Sequence, residues 1–361
     1  MKILINGVGG PTPRSIARTL KFHSPELGSV SLIGTDINPL AYGMYEKELY
    51  DETYIIPPAG KAGYWEALSQ IVKHHQIELA MVQPELEVIA WSKRKSENQP
   101  LPCPAFLPDH DVNALLVDKS LMTKVLANTG LVPESVNINP SQLDWTELES
   151  RLPYPFWIRS TSGSSGLGAL KVESREGLEN WLNINPGVKH FIASTFLPGR
   201  NLACKLLYHR GKLLRAACGE RVHYVMSKTA PSGITGNTSF GRLLNDPDLI
   251  NQSKRAVETI YRSVGKKPNG FFTADFKEDM EGRPFITEIN VRMVAFNLSF
   301  AVAGANFTSD IVQIMTNNSG FDYNYKEYRF EPGTIFLRDV DAEPILMNES
   351  DLKQGFQHLA G

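Results

Sequence analysis

The sequence is short of the features that announce most specialised protein classes. No apolar run approaches the ~18–20 residues that cross a bilayer, which leaves no candidate membrane helix. Cysteine is scarce: Cys103, Cys204 and Cys218 are the only three, and none forms a CxxC pair. An odd, scattered set argues against a disulfide framework and a zinc site, and reads as buried or incidental thiols in a reducing compartment. Neither sign of charge is in excess, since 37 Lys and Arg face 39 Asp and Glu for a formal net charge of -2. That balance carries neither a basic footprint for nucleic acid nor an acidic tail. No serine sits in a GxSxG elbow, and His209, His223 and Asp275 show no triad spacing. The start, Met1-Lys2-Ile3-Leu4-Ile5-Asn6-Gly7, reaches glycine after three apolar residues. A secretory core needs roughly 7–15, so the expectation is a cytoplasmic protein without a membrane or nucleic-acid partner.

What is present is an ordinary soluble balance over 361 residues, 42% hydrophobic and 21% charged, enough for two or three packed domains. The first third alternates short apolar runs with helical patterns. Strands are expected over 2–6, 30–36 and 78–83, and helices over 14–22 and 64–75. That rhythm predicts a parallel sheet with crossover helices, a Rossmann-like α/β domain ending near Asp111. A helix follows over 118–130, stopped by Gly130 and Pro133. Strands over 153–159 and 170–173 flank a glycine and serine loop. Further on, the pattern predicts a helix over 175–182, strands over 191–197 and 202–209, a long helix over 246–264, and paired strands over 271–277 and 284–291.

Two glycine loops invite comparison with nucleotide motifs. The first, Gly7-Val8-Gly9-Gly10-Pro11-Thr12-Pro13, fails GxGxxG because Thr12 stands where the third glycine belongs. Pro11 and Pro13 also remove N–H donors that a pyrophosphate would use, although Asp36 mimics the ribose-binding acid of that motif. The plain reading is a tight strand-to-helix turn. The second, Ser162-Gly163-Ser164-Ser165-Gly166-Leu167-Gly168, lacks the lysine of a P-loop, since Ala169 follows. Its glycines, serine hydroxyls and backbone N–H groups nevertheless suit a mobile flap over phosphates, with Arg159 just before it, while a simple linker is the alternative.

The stretch from Asp275 to Arg292 carries the clearest chemistry. With a period of two, Glu288, Asn290 and Arg292 share one strand face if the strand persists that far; Ile286 joins them, and Thr287, Ile289 and Val291 point away. A two-residue turn at Glu281-Gly282 would set Asp275 opposite Glu288. Two carboxylates and an amide oxygen suit Mg²⁺ shared with nucleotide phosphates, and an adjacent arginine suits a transferring phosphoryl group. A solvated polar face is the alternative. The pair His74-His75 reads as a helix C-terminal cap.

Taken in order and spacing, these segments resemble the ATP-grasp superfamily over nearly the whole chain. The Glu288-x-Asn290-x-Arg292 strand behind Asp275 resembles its magnesium site. Asp118-Lys119 resembles the opening of its ATP-binding part, Tyr154 to Arg159 with the loop its phosphate flap, and Phe196-Leu197-Pro198-Gly199 its adenine hinge. The start, with Asp36-Ile37-Asn38-Pro39, resembles the domain preceding ATP-grasp in carbamoyl-phosphate synthase-like proteins.

The resemblance implies a pre-ATP-grasp domain over 1–112, a lid subdomain over 113–190, and a subdomain with the metal site over 191–361, the last two clamping ATP. It implies ATP and Mg²⁺, and a carboxylate–amine ligase that forms an acylphosphate and releases ADP and phosphate from small-molecule substrates, with a homodimer left open. A phosphotransferase or a non-catalytic ATP-binding protein on the same fold are the alternatives. By the same resemblance, Asp275, Glu288 and Asn290 hold the metal; Arg292 and Arg221 are catalytic; Lys119, Arg159, Ser162, Gly163, Ser164, Ser165, Gly166, Gly168, Thr195, Phe196, Leu197 and Asn201 bind nucleotide. Where the family often carries hinge glutamates, one of them on ribose, this chain has Ser194, Thr195 and Asn201; Val291 replaces a common proline.

Overall fold

A computed structural model describes residues 1–162, 168–229, Gly233, 235–339 and 345–351. The opening sheet is parallel and four-stranded, from β1 (Lys2–Asn6), β2 (Ser31–Asp36), β3 (Glu52–Ile55) and β4 (Leu79–Met81) in the order β3-β2-β1-β4. Its apolar runs are buried on both faces, as parallel strands under crossover helices require. Helix α1 (Pro11–Phe22) starts three residues before the expected 14–22, because proline at a first helical turn surrenders an N–H that has no partner there anyway. Helix α2 (Tyr64–His75) falls where the pattern put it. Helix α3 (Glu85–Ser96) escapes the pattern: its buried side includes Glu87 and Ser92 beside Val88 and Trp91, which blurs the apolar stripe.

Glu87 ties this domain together. The Tyr64 hydroxyl and Asn6 Nδ2 both donate to its Oε2, the latter at 2.6 Å, and Trp91 Nε1 donates to the Tyr64 hydroxyl at 2.9 Å. Burial pushes the Glu87 carboxyl from its ordinary 4.5 up to about 7. The folded state therefore holds the proton more tightly than the unfolded chain. This contribution is fully present below about pH 4.5 and is lost as pH rises towards about 7. The loss is on the order of 2–3 kcal/mol. Glu87→Gln should match the parent in urea denaturation at pH 4.5 and exceed it by roughly 2 kcal/mol at pH 8; equal stabilities at both pH values would remove the buried proton from the account.

Two helices, α4 (His110–Val117) and α5 (Lys119–Leu126), lead to the second sheet, with the Asp118 side chain capping α5 on Ser120 N at 2.8 Å. That sheet is antiparallel, ordered β5-β8-β6-β7 from β5 (Ser135–Ile138), β6 (Phe156–Ser160), β7 (Leu170–Val172) and β8 (Phe191–Thr195). Helices α6 (Trp145–Arg151) and α7 (Arg175–Ile184) cover it around a small core of its own. Because β8 hydrogen-bonds both β5 and β6, this sheet closes at Thr195, past a boundary at residue 190.

The third sheet holds β9 (Asn201–His209), β10 (Lys212–Tyr224), β11 (Thr238–Leu244), β12 (Gly270–Glu278), β13 (Pro284–Asn290), β14 (Lys326–Glu327), β15 (Thr334–Leu337) and β16 (Ile345–Asn348). Its main path is β13-β12-β9-β10-β11-β15-β16, with β14 on β10. Helix α8 (Pro247–Ser263) packs on β9 and β10, and α9 (Asn297–Val302) and α10 (Phe307–Met315) join it to α1. One core runs from Leu4, Leu68 and Trp91 through Met122 and Leu126 of α5 to Leu206 and Phe272, so α5 packs with the body rather than with the second sheet. Cys204 and Cys218 face each other across β9 and β10 as free, buried thiols.

Candidate active site

The pairing of β12 with β13 builds the centre, by a different route from the expected turn. The tip is a five-residue loop, 279–283, between Glu278 and Pro284, and a bulge at Thr287 restores the register, so Asp275 does lie opposite Glu288. The bulge also overturns the expected facing of two neighbours. Ile286 packs in the core with Ile289 and Val291 while still bordering the first cavity, and Thr287 turns to line that cavity and donates Oγ1 to Asp275 O at 3.2 Å. The strand stops at Asn290, yet Arg292 in the following bend still lines the same cavity wall as Glu288 and Asn290.

Cations from three elements converge on these carboxylates. Arg221 on β10 reaches Asp275 Oδ1 with Nη1 at 3.3 Å, and is fixed by Nε on Thr238 Oγ1 at 3.0 Å and Nη2 on Gly236 O at 2.8 Å. Lys119 Nζ lies 3.9 Å and Arg159 Nη1 4.0 Å from Glu288 Oε2. Arg159 Nη2 also donates to Thr287 O. Burial pushes the Asp275 carboxyl up, opposed by Arg221 and reinforced by Glu288. Burial likewise pushes Lys119 and Arg159 down, with Glu288 opposing in both. For Arg221 burial pulls downwards, but Asp275 outweighs it and the guanidinium stays above its usual value.

Asn290 Nδ2 donates to Asp275 Oδ2 at 3.1 Å, which leaves its amide oxygen for another ligand. Two carboxylates and that oxygen on adjacent strands form a hard-oxygen set, open to the cavities on one side, and so fit Mg²⁺ completed by phosphate and water. Among the described residues no group of three or more His, Cys, Asp or Glu is arranged to hold a metal alone.

Two cavities meet at this set. The first, about 440 Å³, lies between the second and third sheets and is lined by Trp157, Arg159, Thr195, Phe196, Leu197, Asn201 and Lys277 among others. The second, about 480 Å³, has the loop from Gly7 to Pro13 and Gln83 as one wall and Asn290 and Arg292 as the other. Arg221, Asp275 and Glu288 line both.

Not every expected residue arrives there. Lys119 is buried behind Glu288 without lining either cavity. Ser162 has its N–H 3.4 Å from Ser160 Oγ, and Gly168, at φ +63°, accepts from Trp181 Nε1 at 3.0 Å. Gly163, Ser164, Ser165 and Gly166 lie outside the described residues. The first glycine loop does more than turn the chain. Gly7 sits at φ +69°, where a Cβ would stand 2.4 Å from Pro84 Cγ, and the loop walls the second cavity. Asp36 spends its carboxylate on this local structure, accepting from Gly9 N at 2.8 Å and Asn38 N at 2.9 Å, which removes the ribose-acid analogy.

Sequence patterns do not single out Trp157, Gln83, Lys277 or Lys205. Lys205 is fully buried among Phe296, Phe300 and Phe271, 4.4 to 5.9 Å from their ring centres, and donates to Asn297 Oδ1 at 3.0 Å. Burial pushes this ammonium down to about 7. The only signal for it in sequence is a charge interrupting an apolar strand.

No family model matches the chain, and no curated protein matches it in sequence. Solved structures do match. L-amino acid ligase from Bacillus licheniformis superposes with a TM-score of 0.66 at 14% identity, over 93% of this chain and 78% of that one. N5-carboxyaminoimidazole synthetase from Staphylococcus aureus, complexed with ADP, gives 0.68 at 15%, over 93% and 81%. The biotin carboxylase domain of Hydrogenobacter thermophilus 2-oxoglutarate carboxylase, in complex with MgADP and bicarbonate, gives 0.68 at 16%, over 93% and 74%. With a parallel N-terminal sheet followed by two antiparallel sheets that enclose a cavity, the chain has the ATP-grasp fold behind a Rossmann-like domain.

Proposed function

We propose that the chain is an ATP-dependent ligase of the carboxylate–amine type, forming an acylphosphate and releasing ADP and phosphate. One observation carries this: two cavities, each large enough for a small molecule, share the wall made by Arg221, Asp275 and Glu288. A protein that only held a nucleotide would need one. The matching structures, an L-amino acid ligase, an N5-carboxyaminoimidazole synthetase complexed with ADP and a biotin carboxylase domain with MgADP, support the same reading.

In this reading the first cavity takes ATP. Phe196 and Leu197 flank the base, Arg159 faces the phosphates, and Lys119 supports Glu288 from behind. Asp275, Glu288 and Asn290 would hold Mg²⁺, which supplies charge neutralisation between phosphate oxygens. The second cavity takes the acid, whose carboxylate meets Arg292 and Arg221. Their cations offset repulsion between that carboxylate and the γ-phosphate. The carboxylate oxygen bonds to phosphorus as the bond to ADP breaks, and an amine then displaces phosphate from the acyl carbon. Three free thiols fit a reducing cytoplasm, and no helix among the described residues is long and apolar enough to cross a membrane.

The test is product and intermediate together. Screening pooled carboxylates for stimulated ADP release identifies the acid. With that acid present and the amine withheld, hydroxylamine should intercept a hydroxamate, and carboxylate oxygen label should appear in phosphate. AMP and pyrophosphate as products would refute the mechanism, and a stable phosphorylated alcohol would establish a kinase instead.

A further inference from the structure

Lys277 is a cation in the first cavity that the fold itself does not use. It sits on β12 two residues beyond Asp275, so both side chains leave the same face, about 6–7 Å apart along the strand. It is half-buried, yet among the described residues it makes no hydrogen bond or ion pair. The one charge that acts on it appreciably is the adjacent Glu278, on the opposite face. That carboxylate is already gripped at both oxygens by Arg200, through Nη2 at 2.6 Å and Nε at 2.9 Å. Across the sheet Lys277 pairs directly with Asn201, and the two line one stretch of cavity wall.

The position of this pair defines what it can meet. The cavity wall carries Arg159, Asp275 and Glu288, where the phosphates belong in the reading above, and Trp157, Phe196 and Leu197, apolar surface suited to a planar base; Lys277 follows Asp275 by two residues along β12, and its partner Asn201 follows Gly199 by two, so the pair stands between the two groups. A nucleotide spanning the two places its sugar between them. An ammonium only donates and a carboxamide both donates and accepts, which suits hydroxyl oxygens and sets the pair against a cation; its place along the wall, and not its chemistry alone, assigns it to the sugar.

Resting on the ATP assignment of this cavity, we infer that Lys277 is a specificity-determining residue that donates, beside Asn201, to a sugar hydroxyl oxygen of the bound nucleoside triphosphate. A hydrogen bond from a charged donor is worth enough to change affinity about tenfold or more. The test is calorimetric titration with MgATP, 2′-deoxy-ATP and 3′-deoxy-ATP. The parent should bind the analogue that lacks the contacted oxygen about tenfold more weakly than ATP. Lys277→Met should bind ATP as weakly as that analogue, with no further loss for the analogue itself. Lys277→Arg, which keeps a charged donor, should restore most of the preference. A Lys277→Met protein that still separates ATP from both deoxy analogues as the parent does would overturn the inference while leaving the ATP assignment intact. A parent that binds no MgATP would overturn both.

Discussion

Glu288→Gln should abolish turnover without disturbing the fold. Glu288 stands opposite Asp275 because the bulge at Thr287 puts it there, and Lys119 and Arg159 approach it to 3.9 and 4.0 Å. The amide keeps the shape of the side chain but loses the charge that would bridge Mg²⁺ to the phosphates. Two cations would then face a neutral group, and the metal would lose one of its two anionic anchors. A loss of about 10³-fold in ADP release is the expected scale. The thermal midpoint should stay near the parent's, since the carboxylate is partly exposed and, among the described residues, makes no side-chain contact closer than these ion-pair distances. Near-normal activity would sink the metal assignment. Asn290→Asp should be milder because an oxygen donor survives, although the 3.1 Å bond from Asn290 Nδ2 to Asp275 becomes a repulsion between like charges.

Arg292→Met has the second-largest expected effect, and its signature is a split between two constants. Arg292 lines the second cavity and not the first. Its Nη1 is held by Met293 O at 3.2 Å, while its buried Nε has no partner among the described residues. A guanidinium placed on the acid's side contributes when charge builds between acid and phosphate, and little when ATP binds alone. kcat should fall on the order of 10²- to 10³-fold. Affinity for MgATP, measured directly by titration, should change by no more than about threefold. A parallel loss of ATP affinity would move Arg292 to the nucleotide side.

How much of this the sequence discloses depends on how local each feature is. The set at Asp275, Glu288, Asn290 and Arg292 is readable because a strand's period of two places alternate residues on one face over a few positions. Strands β10 and β11 are not. The run from Leu214 to Cys218 is buried on both faces and so does not alternate, and β11 carries Gly241 in mid-strand. The second cavity is beyond any local pattern, since residues 7–13, 83–84, 235–237 and 288–295 meet only after the first and third sheets have assembled. Lys277 escapes for a related reason. Its lack of a partner is a statement about neighbours, and Arg200, which occupies Glu278, is 77 positions away.

The bulge at Thr287 makes the β12–β13 hairpin behave as a vernier with one fine setting and one coarse one. Everything from Thr287 to Asn290 is indexed from the bulge, whereas 279–283 forms only the overhang. Lengthening or shortening that overhang changes a solvent loop and leaves the facing of Asp275 and Glu288 as it is. Removing Thr287 alone would rotate Glu288 and Asn290 relative to the strand ahead of them and send the carboxylate towards the apolar cluster around Ile286. Length variation accumulated over descent should therefore collect at the tip and be purged within seven residues of it, and grafts of foreign sequence into this protein have a natural port at Met280 and Glu281, both fully outside the ruled portion of the scale.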